Sequence, residues 1–284
     1  MSILLDGKLL SEKIEQTLIN RIKTLKEKGI IPGLTVILVG EDPASQVYVR
    51  NKMLACERLG IHSKTITLPA DVTQKNLEST IKIENKDQSI HGILVQLPLP
   101  SNLDSESALD LISPEKDVDG FSNINIGKLM RGLETTIACT PKGAINMIKS
   151  TGIDISGKEA VIVGRSNIVG KPMAMLLMQE NATVTVCHSK TKDLKSHTKN
   201  ADILVAAIGK PNFITVDMVK PGAIVIDVGI NRVNGKLCGD VDFEHVKEVA
   251  GAITPVPGGV GKMTIAMLME NTVQAAEKVA SLNK

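Results

Sequence analysis

The sequence has no tryptophan, one tyrosine and three phenylalanines, so a site that must stack on a flat ring has few side chains to draw on. Tyr48 stands out for that reason before any motif is considered. Cysteine is sparse as well. Cys56, Cys139, Cys187 and Cys238 lie far apart, with no Cys-x-x-Cys pair and no histidine at zinc-ligand spacing, and the five histidines form no His-x-x-x-His pair. No metal site is expected, and the thiols are read as reduced and mostly buried. Neither sign of charge dominates, with 33 Lys plus Arg against 31 Asp plus Glu. With no basic segment interleaved with aromatics, a nucleic-acid partner is not expected. No apolar run approaches the roughly 18 residues that span a bilayer. Asp6 interrupts the opening MSILLDGKLL where a signal peptide needs an apolar core, so a cytoplasmic protein is expected.

What is present is the composition of a globular chain able to bury a core: 43% hydrophobic and 23% charged residues over 284 positions. That length suits two domains of about 100 to 200 residues each. Strand-like and helix-like segments alternate from end to end, which predicts an α/β fold with parallel sheets. Leu9, Leu10, Ile14, Leu18, Ile22 and Leu25 recur at helical spacing before Gly29, predicting a helix over about residues 8 to 28. LTVILVG reads as a buried strand, EDPAS as a turn and helix start, and VYVRNKMLACERLG as the helix that follows. HSKTITL, TQKNLESTIKIEN and HGILVQL then predict strand, helix and strand.

Two candidate sites follow from this order. Tyr48 and Lys52 are four residues apart on one helix and so share a face. Gln96 falls near the carboxyl end of a strand, the edge at which open α/β sheets bind ligands. A lysine desolvated there, beside an amide that can orient it, is a candidate acid or base. The polar segment SPEKDVDGF holds Asp117 and Asp119, which could be paired carboxylates, metal ligands or turn formers; the turn reading leads for Asp117.

The second site begins at VIVGRSNIVGKP, where a strand meets Gly164 and Gly170 precedes a helix-like segment. This is the context of a dinucleotide-binding turn, with Ser166 at the middle glycine position. NAD-binding units place an acid about 20 residues on, for the ribose hydroxyls. Here TVTVC runs instead into His188, Ser189 and Lys190. Without that acid, Arg165 and Ser189 suit a 2′-phosphate, which favours NADP over NAD; Arg165 and Lys190 as plain surface charges are the alternative. CTPKGAINMIK reads as a helix with Thr140 as cap and Pro141 in its first turn. The stretch ITPVPGGVGKMT is either a linker or a backbone surface that lets a ligand come close. A last helix is expected over about residues 263 to 281.

YVRNK, VQLPLP, EKDVDGF, CTPKG, GRSNIVGKP, CHSKT, IDVGIN and TPVPGGVG, in this order over nearly the whole chain, resemble the bifunctional methylenetetrahydrofolate dehydrogenase/cyclohydrolase family. The resemblance implies a two-domain subunit in a homodimer. Residues 1–138 with a C-terminal helix at about 265–284 would form a three-layer α/β folate domain, and residues 139–264 a Rossmann-like NADP domain. The implied chemistry is NADP-dependent oxidation of 5,10-methylenetetrahydrofolate to the methenyl form, then hydrolysis to 10-formyltetrahydrofolate. A dehydrogenase lacking the hydrolytic step, and a non-enzymatic binding protein, are the competing readings.

By position, the resemblance makes Lys52 the central catalytic residue, with Gln96 holding it, Tyr48 stacking on the folate and Asp119 bonding the pterin. Pro257, Gly258 and Gly259 would line the folate side of the site. Gly164 would form the cofactor turn, Arg165, Ser166 and Ser189 would hold phosphates, and Ile230 would meet the cofactor near its nicotinamide half. Lys262 departs from the family, which commonly has proline there.

Overall fold

The structure is a computed structural model describing residues 2–282. In chain order its elements are β1 (Ile3–Leu4), α1 (Gly7–Glu27), β2 (Gly33–Val39), α2 (Pro43–Leu59), β3 (His62–Leu68), α3 (Gln74–Lys86), β4 (Gly92–Val95), α4 (Ser105–Asp110) and α5 (Asn123–Met130). There follow α6 (Cys139–Lys149), β5 (Glu159–Val163), α7 (Gly170–Gln179), β6 (Thr183–Cys187), α8 (Leu194–Thr198), β7 (Ile203–Ala206) and β8 (Ile224–Asp227). The chain then forms β9 (Asn231–Val233), β10 (Lys236–Cys238), α9 (Phe243–Val246), β11 (Ala252–Ile253) and α10 (Val260–Leu282).

Contacts divide the chain into two compact units, Lys13–Cys139 with Ile265–Lys284, and Met1–Glu12 with Thr140–Thr264. In the first, β3, β2 and β4 form a parallel sheet in that order. Every residue of β2 is buried, which is why its run is continuously apolar rather than alternating. Asp42 caps α2 by accepting from the Ser45 N–H at 2.7 Å, Pro43 opens the helix and Gly60 closes it in the left-handed conformation. Leu77 and Ile81 of α3 pack on Ile37, Ile93 and Val95. Arg21 of α1 grips Glu277 of α10 through two hydrogen bonds, 2.9 and 2.6 Å.

The second unit holds, among the described residues, a parallel sheet in the order β1-β11-β8-β7-β5-β6. The chain goes from β5 to β6 on one side and on to β7 on the other, so the order reverses at β5. Such a reversal opens a crevice at the carboxyl ends of the strands, where nucleotides bind. The antiparallel pair β9 and β10 is joined by Asn234 and Gly235, both at positive φ, as a two-residue hairpin turn requires.

Three sequence expectations change. The first twelve residues group with the second unit, because β1 adds a strand beside β11 through Ile3↔Ala252 and Leu4↔Ile253. Thr140 does not cap α6: the helix already begins at Cys139, and the Thr140 hydroxyl lies 3.1 Å from that of Thr264. The strand around Gln96 is shorter than the apolar run, β4 ending at Val95 ahead of the cis Leu97–Pro98 bond.

Candidate active site

In the first unit the connections again diverge from a central strand, β2, with α2 leading away from its carboxyl end and β4 lying beside it. Lys52 comes from α2 and Gln96 from the residue after β4, and both side chains are buried, each 9% exposed. The Lys52 ammonium nitrogen donates to Gln96 Oε1 at 2.9 Å, while Gln96 Nε2 donates to the Leu97 carbonyl at 2.7 Å. That second bond sets the amide's orientation, so its oxygen faces the lysine. Tyr48, one turn before Lys52, is 37% exposed. Partial burial pushes its phenol above the usual range, so it presents a neutral ring.

The segment between α4 and α5 runs beside β4, with Ile93 and Asp117 forming a parallel bridge. Two residues beyond that bridge stands Asp119, close enough to Lys52 for the two charges to interact. The two aspartates differ in what surrounds them. Asp117 accepts from the N–H groups of Gly120, Phe121 and Ser122 at 2.9, 3.2 and 2.8 Å and from Asn125 Nδ2 at 2.8 Å, so all of its acceptor capacity serves the turn. Asp119 retains some residue exposure, but its carboxyl is enclosed. Burial pushes that carboxyl above the usual range, the Lys52 charge opposes the shift, and the Asp117 charge adds to it. Lys52, Gln96, Asp119 and Tyr48 thus form one cluster of an amine, an amide, a carboxyl and an exposed ring.

In the second unit Gly164 follows β5 at φ +132°, and a Cβ there would collide with the carbonyl oxygen of Ala207 beyond β7. A Cβ on Gly170 would in turn strike the Gly164 carbonyl. The backbone turn is drawn tight across the sheet's reversal point, and only glycine leaves it open. Ser166 Oγ accepts from the N–H groups of Val169 and Gly170 at 3.1 and 3.3 Å. Its own hydroxyl proton can then turn toward an anion at the N-terminus of α7, where the helix dipole favours negative charge. Arg165 and Ser189 are both exposed and lie two residues beyond Val163 and Cys187, which are register partners on β5 and β6. This donor set, cationic and without a carboxylate, suits a phosphorylated ribose, so the residues fit an NADP-type dinucleotide.

Ile230, 46% exposed, sits on the rim after β8. Pro257 follows a cis bond, and Gly258 accepts from the Gly7 N–H at 2.9 Å, so the Pro257–Gly259 turn is fixed against the start of α1 in the same unit. The structure gathers Lys52, Gln96, Asp119 and Tyr48 in one unit, and Gly164, Arg165, Ser166, Ser189, Ile230, Pro257, Gly258 and Gly259 in the other. Lys262 is exposed in the first turn of α10.

Sequence reasoning missed a second pair of aspartates. Asp240 is fully buried and accepts from the N–H groups of Ile208, Gly209 and Lys210 and from Asn231 Nδ2, at 2.6 to 2.9 Å. Asp227 accepts from the N–H groups of Gly229, Asp240 and Val241 at 2.9 to 3.0 Å. Together they lace the loops after β7, β8 and β10 into one rim. An acid ending an apolar strand, as in IVID, was the available signal.

Two family models match the chain. One described as tetrahydrofolate dehydrogenase/cyclohydrolase, catalytic domain, matches residues 5–119. The other, described as the NAD(P)-binding domain of the same family, matches residues 138–280. Curated relatives named bifunctional protein FolD include one from Dechloromonas aromatica, 59% identical with 98% of this chain and 99% of the relative covered. Another from Bordetella avium is 59% identical with 97% of each covered. Among solved structures, FolD methylenetetrahydrofolate dehydrogenase/cyclohydrolase from Campylobacter jejuni superposes at TM-score 0.97, with 53% identity over 98% of this chain and all of that one. The dehydrogenase-cyclohydrolase of Trypanosoma brucei, described as complexed with NADP cofactor and inhibitor, superposes at 0.94 with 38% identity and 98% of each chain covered. With both domain models matched in order and near-complete relatives at this identity, the chain belongs to the tetrahydrofolate dehydrogenase/cyclohydrolase family.

Proposed function

We propose that the Lys52–Gln96 pair is the acid–base centre of a bifunctional one-carbon folate enzyme. The enzyme oxidises 5,10-methylenetetrahydrofolate to the methenyl form with NADP, then hydrolyses that product to 10-formyltetrahydrofolate. The observation that carries the assignment is the buried 2.9 Å bond from Lys52 to Gln96. It fixes an amine at the carboxyl edge of the sheet, where the family's substrate chemistry needs a group that both takes and returns a proton.

When bound, NADP supplies the hydride acceptor for the methylene carbon. The chain's own residues do the rest. Gly164 and the N-terminus of α7 leave room and charge for the pyrophosphate, Arg165, Ser166 and Ser189 hold phosphate oxygens, and Ile230 covers the nicotinamide end. On the folate side Tyr48 stacks on the ring system and Asp119 accepts from the pterin. Pro257, Gly258 and Gly259 let the substrate approach backbone.

In the hydrolytic step Lys52 assists the attack of water on the methenyl carbon and relays the proton that water gives up to N5, as the carbon–N5 bond breaks and the hydroxyl becomes the formyl carbonyl, with one proton released overall. Gln96 keeps the amine aimed throughout, because its own NH2 is tied to Leu97.

Lys13–Cys139 with the last helix serve as the folate domain, and residues 140–264 with the first twelve residues as the NADP domain. The proposal includes homodimer assembly, which light scattering tests. It also includes a cytoplasmic location, in keeping with four cysteines that are all thiols.

The test mixes enzyme, methylenetetrahydrofolate and NADP and follows NADPH and methenyl absorbance together. NADPH should form without lasting methenyl accumulation. Lys52→Ala should lower cyclohydrolase activity by about 10²- to 10⁴-fold, the usual contribution of a positioned acid–base group. Near-normal hydrolysis in a folded Lys52→Ala protein would remove Lys52 from this role.

A further inference from the structure

Asn271 lies in α10, far in sequence from every site motif, and is 3% exposed. Its side-chain NH2 donates to the carbonyls of Val118 and Ile137 at 2.8 and 3.0 Å, and lies 3.5 Å from Cys139 Sγ. Val118 immediately precedes Asp119. Cys139 completes the arrangement: its thiol sits 3.3 Å from the same Val118 carbonyl and also hydrogen-bonds the Asp119 carboxyl. Across this junction Gly120, at φ +71°, is pressed against the backbone of Ile137 and Ala138, with no room for a Cβ. One amide therefore clamps two segments that cross each other, and the carboxylate proposed to grip the pterin stands one residue from the clamp.

We propose that Asn271 is a positioning residue for folate binding, which sets the height of Asp119 beside Lys52 by holding the Val118 and Ile137 carbonyls together. The inference rests on the assignment of Asp119 as a folate anchor. An amide is suited to the task because two N–H groups on one nitrogen diverge toward two acceptors. Without them, the Ile137 carbonyl loses its donor and the Val118 carbonyl keeps only the weak Cys139 thiol, and the cheapest relief is for the Asp119 segment to move toward water. The groups facing the Asp119 carboxyl are Lys52 from α2, Asp117 from its own loop and Cys139 from α6. Of these only Cys139 also touches the clamped backbone, and its single weak thiol donor reaches the Val118 carbonyl but leaves that of Ile137 to Asn271.

The test compares Asn271→Asp and Asn271→Leu with wild type. Asn271→Asp keeps the shape and replaces the donors with acceptors. Its KM for methylenetetrahydrofolate should rise about tenfold, the size of one lost buried hydrogen bond, while its KM for NADP stays within about twofold. As pH falls from about 8 to about 6, protonation of the new carboxyl restores one donor, and the gap to wild type should narrow. Asn271→Leu, which buries no charge and so guards against misfolding of the first variant, should show the same KM split with no recovery at low pH. A wild-type folate KM in either folded variant, or an equal rise in both KM values, overturns the proposal. Asp119→Ala is the control. If it raises the folate KM and the Asn271 variants do not, the positioning role alone fails; if it leaves the folate KM unchanged, the anchor assignment fails too.

Discussion

Each unit buries a pair of aspartates near the carboxyl edge of its parallel sheet, and the two pairs are used in opposite ways. Asp227 and Asp240 are both consumed by backbone: seven N–H donors, six from the main chain and one from Asn231, converge on their four oxygens. They act as struts that shape the loops of the cofactor rim. In the other pair the labour is divided. Asp117 takes four donors and holds its turn, whereas Asp119 meets the Lys52 charge and the Cys139 thiol and is left raised in pKa by burial. Burial alone does not make a carboxylate a functional candidate. What makes Asp119 one is a desolvated group whose environment is another side chain's charge rather than a ring of amides.

The largest effect should come from removing the most heavily used strut. Asp240→Ala leaves three backbone N–H groups and the Asn231 amide without their acceptor in a fully buried place. At about 1 to 3 kcal/mol for each unmet donor, partly relieved by entering water, a loss near 4 kcal/mol is expected. Thermal unfolding should show a lowered melting transition, with NADP affinity falling alongside it. If Asp240→Ala melts like wild type, the strut reading of that pair is wrong.

A smaller and more discriminating effect separates Asp117 from Asp119 by the same isosteric change. In Asp117→Asn an NH2 replaces one oxygen and must face N–H donors, so about 2 to 3 kcal/mol of stability should be lost. Asp119→Asn removes a desolvated carboxyl and should change stability by no more than about 1 kcal/mol. Its kcat/KM with methylenetetrahydrofolate should nevertheless fall about 10- to 100-fold, as for one charge-assisted bond to substrate. Denaturant midpoints and steady-state rates on the two variants check this; the reverse pattern would exchange the two roles.

These contrasts explain how much could be read from sequence. Helix periodicity, the buried run of β2 and the glycine pair around Ser166 are local signals, and they sufficed for the α/β class and for the tight turn between β5 and α7. The Tyr48–Lys52 spacing was visible because helical geometry repeats within one turn. The 2.9 Å bond from Lys52 to Gln96 was not, since it depends on β4 lying beside β2 across 44 residues of chain. Thr140 misled because its cap-like chemistry engages Thr264 instead. The Asn234–Gly235 hairpin was legible and overlooked, and Asn271 was not legible at all. A lone amide in an apolar helix carries no pattern until its partners, more than 130 residues earlier, are in place.

The smallest effect concerns pH and tests the comparison at its weakest point, Asp227. Three backbone donors favour its anion, yet burial and the neighbouring Asp240 charge outweigh them and push its carboxyl up to about 7 from an ordinary 3.8. A folded-state pKa above the unfolded one means that the native protein holds the extra proton between pH about 4 and about 7, so stability should fall as pH rises through that window. The slope from one group is at most about 1.4 kcal/mol per pH unit. Asp119, also raised by burial, adds a fall of the same sign above the ordinary carboxylate range, and other groups act elsewhere or oppositely. Asp217, held down to about 2, loses its contribution only below the ordinary carboxylate range, and His91, pushed down by burial, makes stability rise with pH below about 6.5. The difference between wild type and Asp227→Asn cancels all three. That variant is less stable at pH 5, because an NH2 now confronts a backbone N–H, but its denaturant midpoint should decline less steeply between pH 5 and 7. If the two slopes coincide, the Asp227 carboxylate is already ionised in the fold, its three amides outweigh its desolvation, and it is the same kind of strut as Asp240 at every pH.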